Sequence, residues 1–262
     1  MRSGKGDEGV SLSLRQGPSI DIVFAMKVCL FSYPRTGTSV VFRLMSRYLN
    51  AKHGSGLGVG EIFDCGDHLL VDTGTGLKLE DGNATEHYRQ EISRRIELLK
   101  KYDRQNYSIK VLANQANHGV IEFLAEHYQI VCLERRDQFE AVLSWILARQ
   151  TGFWSIERGG VRPKISKIVA EREIYEEIRN SIVNYLEMKP KFPSISKTLI
   201  YEDFVLLQNK TDVLKELGWT DVAAVLGENF DEVILRSFEE GEKQGFVENL
   251  NEVRGWYEND FC

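Results

Sequence analysis

The sequence predicts an α/β fold in which a central parallel sheet is covered by helices on both faces, giving three layers. Two observations carry that expectation. Short, nearly continuous apolar runs rich in β-branched residues recur along the chain, and amphipathic stretches with a helical repeat lie between them. A strand that is apolar at almost every position has no face left for water. It belongs inside a sheet buried on both sides, the arrangement that β-helix-β connections produce.

Taken in order, the strand candidates are KVCLF (27–31), YSIKVL (107–112), QIVCLE (129–134) and TLIYEDF (198–204). After the first of them, Val40, Val41, Leu44, Met45, Tyr48 and Leu49 repeat on one helical face. After QIVCLE, Phe139, Val142, Leu143, Ile146 and Leu147 do the same. A longer helix is expected over residues 168–189, with Ile174, Ile178, Ile182, Tyr185 and Leu186 on one face and Pro190 ending it. The chain beyond residue 204 reads as further helices and loops. Residues 1–25 are rich in Gly and Ser without a sustained apolar period and read as a disordered lead, which leaves 26–262 as a single domain. Two segments, HGSGLGVG (53–60) and the Gly- and Asp-rich stretch 64–83, follow neither period. Loops of that length in a compact domain are often functional.

Bulk properties narrow the function. A net charge of −6 and a pI near 5.5 supply no general attraction to nucleic acid, so any anion site must be local. Cys29, Cys65, Cys132 and Cys262 show no CxxC spacing and read as reduced, structural residues. No apolar run approaches the ~20 residues of a membrane span, and the N-terminus has no signal-peptide core. A cytoplasmic protein with no membrane or nucleic-acid partner is expected; monomer and homodimer both stay open.

The densest chemistry lies at 32–39, SYPRTGTS, between the first strand and the first helix. A strand, a tight glycine turn crowded with hydroxyls and a helix start together form an anion cradle of the P-loop type. A triphosphate-binding loop would read GxxxxGK[ST]. With Gly37 as its second glycine, Thr38 stands where the lysine should be, Ser39 where the metal-binding hydroxyl should be, and the nearest cation is Arg35. Helix-start amides, the hydroxyls of Thr36, Thr38 and Ser39 and the Arg35 guanidinium suit a 5′-phosphoryl group without the parts that handle a metal-bound triphosphate.

A second stretch, LERRDQFEAVLSW (133–145), ends a strand at two arginines and opens a helix that Asp137 can cap, with Glu140 completing a capping box. Arg136 precedes that helix and Ser144 lies two turns along it. With this spacing and RTGTS upstream, the chain resembles sulfotransferases that use 3′-phosphoadenosine 5′-phosphosulfate. The run Gln150, Thr151, Gly152 and Trp154 in ARQTGFW is similar to the bacterial carbohydrate sulfotransferases of the trehalose type, and YEDF (201–204) resembles a family element at the end of a late strand. The resemblance implies that Arg35, Thr36, Gly37, Thr38 and Ser39 hold the 5′-phosphosulfate, that Arg136 and Ser144 clamp the 3′-phosphate, and that the acceptor is a carbohydrate hydroxyl. Many eukaryotic members carry lysine in place of Arg35, and their basic C-terminal cofactor loop has no clear copy in the tail of this chain.

Sulfuryl transfer requires an oriented acceptor, a base for its proton and charge stabilisation on the departing phosphate, and it requires no metal. Arg35 is suited to the leaving group. For the base, the resemblance points to Glu61 in the E-x-F run Glu61-Ile62-Phe63, with His53, His68 and His118 as alternatives; His87 and His127 read as surface positions on helices. Two other functions stay open: a nucleotide or small-molecule kinase of the same architecture, which should show a Walker lysine and a Mg²⁺ carboxylate, and a non-catalytic nucleotide-binding protein.

Overall fold

The computed structural model describes residues 25–53, 58–63, 84–102, 105–154, 164–206, 211–226 and 241–262. The expected lead, apart from Ala25, falls outside these, as do the 64–83 segment, Cys65 and His68.

Among the described residues five parallel strands form one sheet: β1 (Lys27–Ser32), β2 (Gly58–Glu61), β3 (Tyr107–Leu112), β4 (Gln129–Glu134) and β5 (Lys197–Ile200), in the order β2-β3-β1-β4-β5. Nine helices lie among the described residues. They are α1 (Thr38–His53), α2 (Ala84–Lys101), α3 (His118–His127), α4 (Gln138–Thr151), α5 (Arg172–Met188), α6 (Tyr201–Leu206), α7 (Thr211–Glu216), α8 (Val222–Leu226) and α9 (Leu250–Phe261). The α/β fold with helices on both faces of a parallel sheet is as the apolar strands require.

The alternation along β1 builds two cores. Val28 and Leu30 meet Leu44 and Tyr48 of α1 together with Leu214 and Trp219. Cys29 and Phe31 point the other way into a larger core with Val142 and Ile146 of α4, Tyr185 of α5 and Val253 of α9. Each such side chain stabilises by about 1.5–3 kcal/mol on burial, so a central strand apolar on both faces is strongly held in place. Cys29 and Cys132 are buried free thiols, and burial pushes both up, Cys132 to about 11, which suits inert core residues; Cys262 is exposed.

Three expectations are corrected. Strand β5 ends at Ile200, because its partner β4 ends at Glu134, opposite Ile200; Tyr201 therefore opens α6 instead of extending a strand. Helix α5 begins at Arg172 and not at 168, because Ile168 is extended and bridges Val247, while Ala170 is held by the side chain of Asn249. The glycine-rich return after α1 contains β2, an edge strand too short and too poor in apolar residues to announce itself.

This topology places the site. The chain leaves β1 toward β3 and β2 on one side, whereas β4 continues to β5 on the other. The loops after β1 and β4 therefore flank the point where strand order reverses, where open α/β sheets form a crevice for ligands. No helix among the described residues is long and apolar enough to cross a membrane.

Candidate functional site

The loop after β1 is fastened from within. Ser32 and Thr36 are fully buried. Thr36 Oγ1 lies 2.6 Å from Ser32 Oγ and 3.0 Å from the Tyr33 carbonyl, and Ser32 donates across the sheet to the Leu133 carbonyl. The Thr36 hydroxyl thus ties the loop to β1, and what the loop offers an anion comes from Thr38, Ser39, Arg35 and the amides at the start of α1. Arg35 and Gly37 both adopt left-handed backbone, φ 66° and 81°, a curl that turns neighbouring N–H groups toward a common point. A side chain is excluded at 37 for a second reason: a β-carbon there would lie 2.1 Å from the ring of Tyr201.

Arg35 reaches out of the loop toward α4. Its Nε donates to Ser144 Oγ at 2.9 Å, its Nη1 donates to the Trp154 carbonyl at 2.8 Å, and its guanidinium lies 5.8 Å from the Trp154 ring. Burial, helped by nearby Arg135, brings its pKa down to about 10, which leaves it cationic at neutral pH.

The two arginines after β4 part company. Arg136 is 62% exposed, pairs with Asp203 at 2.5 Å and donates its amide to Glu202 at 2.8 Å, so the acidic pair of YEDF anchors this corner. Arg135 is half-buried. It stacks 4.4 Å over the Tyr201 ring and donates its amide to the Tyr33 hydroxyl at 3.1 Å. Its Nε is buried with no hydrogen-bond partner among the described residues, a cationic donor beside the anion loop. Ser144 and Arg136, expected to act together, are thus engaged separately, Ser144 by Arg35 and Arg136 by Asp203.

Two lysines complete the cationic lining. Lys110, buried on β3, brings Nζ to 3.3 Å from Ser39 Oγ, so an ammonium arrives at the loop from the adjacent strand although Thr38 occupies the usual lysine position. Lys243, in the 3-10 turn Glu242–Phe246, is buried and pairs with Glu140 at 2.6 Å. Burial and, next, Arg135 pull the Lys243 ammonium below its ordinary value, with Arg35 adding to the repulsion. Asp137 caps α4 as expected, accepting from the Glu140 amide, but the Glu140 carboxylate turns to Lys243 instead of closing a capping box.

Glu61 ends β2 with its Cα opposite that of Lys110. Of the alternative bases, His53 ends α1 exposed to solvent, and His118 opens α3, 72% exposed and 3.2 Å from Glu122. His127 packs on Phe123. His68 and the side chain of His87 lie outside the described residues. In the QTG-x-W run, Gln150 donates to the Val169 carbonyl at 2.9 Å, Gly152 ends α4 in left-handed conformation, and Trp154 stands 42% exposed beside Arg35.

In sequence the chain matches no protein-family model and no curated protein. In structure its similarities include a sulfotransferase domain and a shikimate kinase. A sulfotransferase domain of a Synechococcus olefin synthase shares 14% identity over 92% of this chain and 86% of that one, with a TM-score of 0.39. A shikimate kinase from Bacteroides thetaiotaomicron shares 10% identity over 77% of this chain and 99% of its own, with a TM-score of 0.41.

Three residues of the lining escaped the sequence reading. Lys110 had a usable signal: a lysine in the middle of an apolar strand is costly unless something pairs with it. Arg135 could not be separated from Arg136, because either of two adjacent arginines at a strand end can turn inward. Lys243 gave no signal at all, since only the tertiary fold carries the C-terminal segment to α4.

Proposed function

We propose that this protein is a sulfotransferase that moves the sulfuryl group of 3′-phosphoadenosine 5′-phosphosulfate to an acceptor hydroxyl on a carbohydrate. The observation that carries the reading is that cationic groups follow both of the strands that flank the switch point. Arg35 and the start of α1 stand after β1, and Arg135, Arg136 and Ser144 follow β4. Two anion positions across a switch point suit a nucleotide phosphorylated at both ends of its ribose. The Arg135 Nε, buried without a hydrogen-bond partner among the described residues, fits such a ligand.

In the reaction the acceptor oxygen forms a bond to sulfur as the bond between sulfur and the 5′-phosphate oxygen breaks. The electron pair goes to that oxygen, and the hydroxyl proton goes to Glu61. Arg35, Thr38, Ser39 and the amides of Thr36 and Gly37 hold the 5′-phosphate, Lys110 adds charge from β3, and adenosine 3′,5′-bisphosphate leaves. Arg136 and Ser144 hold the 3′-phosphate, exchanging their internal partners Asp203 and Arg35 for phosphate oxygens. The scheme calls for no metal. One observation favours a second reading, phosphoryl transfer: Lys110 supplies an ammonium near where a kinase loop has its lysine.

The test is incubation with sulfuryl-labelled donor and pooled mono- and disaccharides, read by mass spectrometry. Sulfated sugar is the expected product. Phosphorylated sugar from Mg-ATP, with no sulfation, would replace this reading with the second.

A further inference from the structure

The three-residue run that carries the proposed base is held at each of its positions, and one of the holders lies on α2. At Glu61 the backbone pairs with β3 opposite Lys110, after an irregularity in register between Val59 and Glu61. Such a bulge re-aims the residues that follow it. At Phe63 the side chain is fully buried in the larger core. Between them, the carbonyl of Ile62 accepts a hydrogen bond from Nη1 of Arg95, on α2.

That arginine is itself held. Arg95 Nε donates to Glu91 Oε1 at 2.6 Å, one turn earlier on α2, and Arg94 grips the same carboxylate through Nε and Nη2, both at 2.8 Å. Arg95 and Glu91 are only 18% and 14% exposed, so water competes weakly for either. A guanidinium with one arm on a carboxylate and another on a peptide carbonyl has a set direction and charge-assisted bonds.

We infer that Arg95, oriented by Glu91, is a positioning residue for sulfuryl transfer: by gripping the Ile62 carbonyl it sets the direction in which the chain presents Glu61. The inference rests on Glu61 as the base. Arg95 acts through the Glu61–Phe63 turn. A displacement of about 1 Å in a reacting group can cost on the order of 100-fold in rate, so a small release of this turn is enough to be measured.

The experiment compares Arg95→Met, Arg95→Lys, Glu91→Gln and Glu61→Gln with the parent chain, measuring kcat for sulfuryl transfer into the pooled sugars, its pH profile, the Kd of adenosine 3′,5′-bisphosphate and the melting temperature. Arg95→Met is expected to lower kcat by about 10- to 100-fold and to move the acid limb of the profile, with the bisphosphate Kd within about twofold of the parent. Arg95→Lys should restore part of the loss. A lower melting temperature with kcat and pH profile within about twofold of the parent, while Glu61→Gln is inactive, would make Arg95 merely structural and leave the base assignment standing. Near-normal turnover by Glu61→Gln would overturn the base assignment and this inference with it. Should Arg95→Met fail to fold, Glu91→Gln decides: a fall in kcat at unchanged bisphosphate Kd supports the role, and an unchanged kcat overturns it.

Discussion

Gly37 meets two separate demands, a left-handed backbone and the ring of Tyr201 where a β-carbon would stand, whereas Gly152 meets only the first, with no atom of the described residues within 4 Å of such a β-carbon. Gly152→Ala should therefore cost about 1–2 kcal/mol, the penalty of a left-handed L-residue. Gly37→Ala should cost roughly 2–5 kcal/mol, because overpacking adds about 1–3 kcal/mol, and it should also abolish bisphosphate binding. Denaturant melts of both variants check the difference. Arg35 makes a prediction in pH. Its guanidinium, brought down to about 10, is charged through neutrality, so bisphosphate affinity should be flat from about pH 7 to 9 and fall as the pH rises past about 10, where the cation is lost. Titration calorimetry over that range reads the fall directly, and Arg35→Lys should move it. At this scale the sequence showed the loop residues but not their directions. RTGTS marks an anion loop by composition, yet nothing in it says that Thr36 faces inward or that Arg35 reaches to Ser144. Those directions follow from left-handed φ values and contacts across the sheet.

Among the elements, the segment least visible in the sequence makes a buried contact beside the site. Residues 241–262 pack on α4 and α5: Lys243 pairs with Glu140, Asn249 bonds both main-chain groups of Ala170, and Tyr175 donates to Asp260 at 2.7 Å. Lys243→Met would leave the Glu140 carboxylate buried without its partner, and the expected loss is about 3–5 kcal/mol. Adding Glu140→Gln removes the stranded charge and should recover most of it, a non-additivity that chemical denaturation of the two single variants and the double variant will show. Strands β1 and β4 were legible because their central positions are apolar on both faces, and β3 because Tyr107, Ile109 and Val111 alternate with Ser108 and Lys110 at the strand period. Strand β2 was not, because an edge strand of four residues containing two glycines owes its existence to β3 beside it. The boundary of β5 was misjudged for a similar reason: YEDF has strand-like composition, but the ladder stops where β4 stops.

For the whole molecule, function is written in topology more than in composition. An acidic chain gathers Arg35, Arg135 and Lys110 at one end of its sheet, and strand order sets the loops after β1 and β4 side by side there, where open α/β sheets form a ligand crevice. Periodicity predicted the layers, but strand order is a tertiary fact, so the sequence could place the two anion motifs on separate strand-helix units without showing that they adjoin. The central claim is that this crevice holds a nucleotide phosphorylated at both 3′ and 5′ positions. Its most direct test is the melting temperature of the chain with adenosine 3′,5′-bisphosphate and, separately, with Mg-ATP. At a hundredfold excess over its dissociation constant the bisphosphate should add about 2.7 kcal/mol of stability, with Mg-ATP at the same concentration adding much less. A larger stabilisation by Mg-ATP than by the bisphosphate would contradict the account.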